Sequence, residues 1–179
     1  LDASDWTQEY IYEQYSGTVL QYSINSRLEL RFSDVYIQAD GLIRDADTTD
    51  AATGLLNGIV LLDPIDGIGD PRLDEYMTYF EAGGRNAELT LNSMRELRLL
   101  IAEDALARGD IATFTTQINI VRAESPVALT PWDGGNAAHP SAVNMLIHER
   151  QVNLFLQGIR LHDMYRFGIR SPAWQNTRI

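Results

Sequence analysis

The side chains of this 179-residue chain that can do chemistry are three histidines, 25 acidic residues and 14 basic ones, and their spacing decides which chemistry is open. His139, His148 and His162 share no metal-ligand spacing. His148-Glu149-Arg150 lacks the second histidine, four positions on, with which a zinc-binding helix aims two imidazoles at one ion. Ordinary surface or core histidines are the plainer reading, and no metal ligand is assigned. The loop Asp45-Ala46-Asp47-Thr48-Thr49-Asp50 imitates the start of a calcium loop. It has Asp50 where the sharp turn needs Gly and Leu56 where a bidentate Glu should close the site. A solvated acidic loop is expected there; a calcium ion held by carboxylates from several loops is the minority alternative, and no other cofactor is indicated.

Covalent and phosphoryl chemistry find no support. There is no Cys, hence no thiolate and no disulfide. No G-x-S-x-G elbow occurs. Gly67-Ile68-Gly69 runs into Asp70-Pro71, which suits a turn and repels phosphate. Glycosidases need two carboxylates at a set separation, but with 25 acids a pair can always be imagined, so that signal is empty. Trp6, Trp132 and Trp174 offer flat indole faces of the kind that stack on sugar rings. Trp132, in a Pro- and Gly-rich loop beside Asp133 and Asn136, is the best candidate ligand contact.

A structural role fits the charged residues of the last third better. Arg98, Glu103, Arg122, Glu149, Arg150, Arg160, Asp163 and Arg166 lie on or beside otherwise apolar faces. Asp163 is three residues from both Arg160 and Arg166, so on a helix one carboxylate can meet both guanidiniums. Arg150 shares a stripe with Val143, Leu146, Ile147 and Leu154, which predicts at least half burial. Buried charges need partners, so these residues read as an ion-pair cluster that holds helices together. The expectation is a binding or assembly protein, not an enzyme.

The elements that must position this cluster are legible at helical period. Ser93 and Glu96 form a capping-box pattern that opens a helix from Met94 to Arg108, closed by Gly109. Asp110 caps the next, with Ile111, Phe114, Ile118 and Val121 on one face and Pro126 as the stop. So short a connection predicts an antiparallel pair. Pro140 suits the first position of a helix running to about Gln157, and a last short helix spans Ile159 to Phe167. Upstream, Asp5 and Gln8 suggest a first helix ending near Gly17. Leu20 to Phe32 alternates like a strand, Leu28 to Ile43 also reads as helix, Leu55 to Leu62 is a short buried element, and Leu73 to Phe80 makes one or two helical turns. The stretches 45–54, 63–72 and 131–140 read as loops.

The net charge of −11 disfavours nucleic acid and anionic membrane as partners, since both need a basic footprint. The longest apolar run, Ile59 to Leu62, is far too short to span a bilayer. Beginning at Leu1 and not Met, the chain reads as a processed or excised piece.

Taken in order, the motifs resemble the SusD/RagB family of nutrient-binding outer-membrane lipoproteins. They are Ile101-Ala102-Glu103 with Gly109-Asp110, then Ile118-Asn119-Ile120-Val121-Arg122, then Glu149-Arg150, and finally Gly158, Arg160, Asp163, Met164 and Arg166. The likeness covers roughly residues 93–170 and is weaker across 28–43 and at Asp70-Pro71-Arg72. Gln151, Asn153 and Gln157 stand where the family often has charges. Family members are also longer and begin with a lipidated Cys, which this chain lacks. The resemblance implies one mainly α domain over 1–179, of tetratricopeptide-like antiparallel helix pairs with long irregular loops and room for a small β element near residues 20–32. Residues 1–92 form its weakly matched part. It further implies capture of glycan or peptide nutrients with a TonB-dependent transporter, at the outer-membrane surface or in the periplasm of a Gram-negative bacterium. The alternative is the same fold recruited as an extrinsic structural subunit of another envelope complex.

Overall fold

Short helices dominate the last third of the chain, where the pattern has period 3.6. A computed structural model of the chain describes residues 9–12, 59, 61–76 and 89–168. In chain order these give strand β1 (Glu9–Tyr12), helix α1 over 71–76, strand β2 (Leu89–Ser93), and helices α2 (Met94–Ala107), α3 (Ile111–Ala123), α4 (Ala142–Asn153) and α5 (Arg160–Phe167). The described part is mainly α, as the periodicity predicts. None of its helices is long and apolar enough to cross a membrane.

The strongest local signals act as expected. Ser93 accepts the Glu96 N–H and starts α2, and Asp110 accepts the Thr113 N–H and starts α3. Between them Gly109 takes φ +76°, a left-handed conformation that costs a glycine little. The Asp110 N–H then reaches back to the Ala105 carbonyl and the Gly109 N–H to that of Leu106, the double bond of a Schellman stop. Arg95 pairs with Glu124 while Arg98 pairs with Gln117, so α2 and α3 run antiparallel. Leu99, Ala102 and Ala105 of α2 pack with Phe114, Ile118 and Val121 of α3 in one core. Ile111, expected on that face, is exposed instead because it lies in the first turn.

Helix α4 is the central element. Its six residues from Met145 to Arg150 are all buried, so it has no solvated face over that stretch. It starts two residues later than expected: Ser141 is the cap, accepting the Asn144 N–H, and the carbonyl of Pro140 serves Trp132. It also ends earlier, at Asn153 and not Gln157. There the Gln157 amide takes the Asn153 carbonyl, and the chain turns through positive φ at Leu156 and Gly158. Helix α1 runs parallel to α4, because Asp70, Arg72 and Tyr76 meet His148, Glu149 and Asn153 in the same chain direction.

One expectation fails outright. The segment read as a first helix contains β1, which pairs antiparallel with β2, and Leu91 is the extra residue where the register shifts between Tyr10 and Ile11. Tyr and Ile favour strands, and a partner strand outweighs a weak local capping pattern. Strand β2 was concealed by the helix signal that follows it directly. The β element expected near residues 20–32, the helix over 28–43, the acidic loop 45–54 and most of 55–62 lie outside the described residues.

Candidate functional site

Two charge clusters, to which α4 contributes Glu149 and Arg150 respectively, are the chemically densest places among the described residues; the first is buried and the second partly so. The first begins in the loop 61–70. Asp63 Oδ1 accepts the N–H groups of Ile65 and Asp66, and the Gly67 N–H bonds the Asp63 carbonyl, folding the loop back on that carboxylate. Leu62 and Gly69 close the loop as a bridge. Asp70 caps α1 through the Arg72 N–H, with Pro71 at the first helical position, where no amide hydrogen is needed.

This geometry delivers Asp63, Asp70 and Arg72 to α3 and α4. The Arg72 guanidinium makes a two-point contact with Asp70 (2.9 and 2.7 Å) and a second with Glu149, through Nη1 to Oε2 and through Nη2 to Oε1 at 3.3 Å. Arg122 holds Asp63 at 2.8 and 3.2 Å, Glu149 at 3.0 Å, and the Thr130 carbonyl through Nε at 2.9 Å. The His148 ring Nε2 lies 2.9 Å from Asp70, and Asn153 donates to Glu149 at 3.0 Å. Asp63, Asp70, Arg72 and Glu149 are wholly buried.

Burial alone would push the Asp70 carboxyl up, but hydrogen bonds from Arg72 and His148 win and hold it well below the usual carboxylate range. Burial likewise opposes ionisation of Asp63, and the Arg122 guanidinium with the loop amides brings it below its ordinary value. Arg72 and Arg122 are driven upward against their own burial, by Glu149 and Asp70 in one case and by Asp63 and Glu149 in the other. The contribution of the two depressed carboxylates is present above their ordinary range and is lost as pH falls through their native values.

The second cluster joins α2, α4 and α5. Arg150 grips Asp163 at 2.8 and 2.9 Å, and Arg166 reaches Glu103 at 2.6 Å and Asp163 at 3.8 Å. Helical spacing pointed to Arg160 and Arg166 as the partners of Asp163; its bidentate partner is Arg150, a helix away. Arg160 opens α5, and burial lowers the proton affinity of its guanidinium. Arg98 sits apart, near Gln117 and Glu124.

The candidate ligand contacts are not brought together as a binding face. Trp132 is 3% exposed, with its ring edge-on to Phe114 and its indole N–H donated to the Pro140 carbonyl. It is therefore a core side chain with no free face for a sugar, which corrects the reading from loop context. Asp133 and Asn136 are exposed, but each turns an oxygen to a nearby amide, of Gly135 and Ala138, so they shape the loop. Asn119 explains why the indole is drawn inward: its amide both donates to the Trp132 carbonyl and accepts the Trp132 N–H. Gly134 lies so close that an added Cβ would meet the indole at 2.6 Å. Gly134→Ala is expected to cost about 1–3 kcal/mol by overpacking, read as a lowered urea midpoint with a changed Trp fluorescence; an unaltered midpoint would contradict the close packing.

Of the histidines, His162 is exposed, His139 accepts the Asp133 N–H, and His148 belongs to the first cluster. Asp63, His148 and Glu149 each bring one ligand atom within 4.8 Å of the others, a donor set that divalent cations use. Both carboxylates are already engaged by guanidiniums, which supply the positive charge a metal would bring, so the fit to a cation is poor. The calcium-like positions Asp45, Asp47, Asp50 and Leu56 lie outside the described residues, as do Trp6 and Trp174. Sequence reasoning missed Asp63, Asp70, Arg72, Asn119 and Asn153 as members of these networks. The available signals were the Asp-Pro cap pattern at the start of α1 and, for Asn119, its place in the Ile-Asn-x-x-Arg motif.

Comparison with family models, with curated proteins and with solved structures gives no significant match to any of them.

Proposed function

We propose that this chain is a non-catalytic binding protein of the SusD/RagB type, in which the helical core displays surfaces that capture glycan or peptide nutrients at the outer membrane with a TonB-dependent transporter. The observation that carries the reading is the engagement of the motif residues. Glu103, Arg122, Glu149, Arg150, Asp163 and Arg166 are all consumed in pairs between elements, which suits struts and leaves none of these six poised over a substrate. Asn119 of the Ile-Asn-x-x-Arg motif captures both backbone groups of Trp132, and Arg122 of the same motif captures Thr130. A motif that pins its own loop has a structural reason to be spelled that way.

One observation favours the second reading, in which the same fold serves as an extrinsic structural subunit of another envelope complex. The best aromatic contact, Trp132, is spent in the core, and Asp133 and Asn136 are spent in their loop. Affinity purification of the full chain from its native envelope separates the two. Recovery of a transporter barrel, with saturable binding in a glycan and peptide panel, is expected on the first reading. Another stoichiometric assembly with no ligand binding would favour the second. Turnover that is lost on changing one carboxylate while folding survives would overturn both.

A further inference from the structure

Among the described residues, the large apolar side chains most open to solvent are Tyr165, 76% exposed, and Leu161, 57% exposed. They stand four positions apart on α5 and so share one face, while Asp163 and Phe167 turn the other way into the molecule. The outer side of this helix is therefore apolar where a surface helix is ordinarily polar. The turn leading into α5 repeats the anomaly. Leu156 is 48% exposed and has φ 62°, a left-handed backbone that a bulky side chain rarely adopts. Glycine or asparagine would relieve that conformation, so leucine keeps an apolar group half in water against a local strain.

Charge is segregated along the same stretch of sequence. Residues 1–149 hold 24 acids and nine arginines, a net −15. Residues 150–179 hold five arginines, at 150, 160, 166, 170 and 178, against Asp163 alone, a net +4. That one acid is buried and gripped by Arg150, while Arg166 meets Glu103 from α2. An acidic chain thus ends in a basic stretch, and its most exposed apolar groups lie there.

We propose that the outer face of α5, carrying Leu161 and Tyr165, is a docking surface for a protein partner that presents an apolar hollow ringed by acidic side chains. Tyrosine is enriched where binding energy concentrates, and complementary charge around it orients the partner and speeds encounter. A symmetric pairing with a second copy would set two basic stretches against each other. An anionic lipid surface or a nucleic acid is broad enough to meet the −15 of the other residues as well. An acidic patch on a protein is local and engages only the end that complements it. The inference rests on what both functional readings share, that the chain works seated on a protein partner.

The test puts the photoreactive residue p-benzoylphenylalanine in place of Tyr165 or Leu161 in the full chain, in its native cells. Thr116, exposed on α3, is replaced in the same way as the control. The expected result is an adduct to one protein from both α5 positions and none from the control, with the joined peptide of that protein rich in Asp and Glu around apolar residues. Recovery of the same protein with the chain should fall about tenfold or more when Leu161→Ser and Tyr165→Ser are combined. No adduct, an adduct to lipid, nucleic acid or a second copy, a joined peptide without acids, or unchanged recovery with the double variant overturns the proposal. Should the double variant fail to fold, the adducts decide. A transporter barrel recovered equally with and without the two substitutions removes this face and leaves the first functional reading standing. An acidic protein other than a barrel, joined to α5, keeps the face and favours the second reading.

Discussion

Glu149→Ala is expected to remove about 3–5 kcal/mol of stability, because it takes a hydrogen-bonded carboxylate from two buried guanidiniums and from the Asn153 amide at once. Glu149 is the hub of the first cluster: Arg72 and Arg122 both donate to it, and Asn153 donates from the next turn. Without it, Arg72 keeps its two-point contact with Asp70, and Arg122 keeps Asp63 and the Thr130 carbonyl, but each guanidinium loses a buried carboxylate partner. Against a typical total of about 5–15 kcal/mol, such a loss leaves a large unfolded fraction. Urea denaturation followed by far-ultraviolet circular dichroism measures it. A loss under about 1 kcal/mol, the scale of an exposed pair, would show that the cluster is neither sealed nor structural.

The second large effect is expected from Asp163→Ala, about 3 kcal/mol, for the same reason in the second cluster. Asp163 is nearly inaccessible, and its removal leaves the buried Arg150 with Glu103, at 3.7 Å, as its remaining acid among the described residues. The informative comparison is the paired replacement Arg150→Met with Asp163→Leu. Apolar groups of similar bulk need no partner, so the double variant is expected to recover most of what the single one loses. A double-mutant cycle in which the two losses simply add would refute direct coupling between these side chains.

Local rules made α2, α3 and the turn between them legible, because Ser93, Asp110 and Gly109 each act within four residues of chain. The same holds for the position of α5 and its stop at Gly168. In the first cluster Arg122 and Glu149 were legible as paired charges, but Asp63, Asp70 and Arg72 were not, since what makes them important is an encounter with α3 and α4 that no local spacing announces. His148, read as an ordinary core or surface histidine, is a core one, but its contact with Asp70 was not visible in the sequence. Trp132 misled for the opposite reason: a Gly-rich loop implies exposure, and the two-point grip of Asn119 reverses it. The first segment misled because β1 and β2 are about eighty residues apart in sequence, and a window of one turn cannot see such a partner.

The parallel alignment of α1 with α4 also fixes an order of events. Arg72 and Glu149 are separated by 77 positions, and so are Tyr76 and Asn153. Bringing such distant stretches together carries a closure entropy that nearby pairs escape. The hairpin of α2 and α3 can therefore assemble early from its own contacts, while the arginine-carboxylate hub closes late, once α4 is in place. Damage to a late-forming contact leaves the rate of folding almost untouched and shortens the lifetime of the native state instead. In this molecule the buried charges act as a clasp on the finished fold, setting how long it endures more than how fast it is reached.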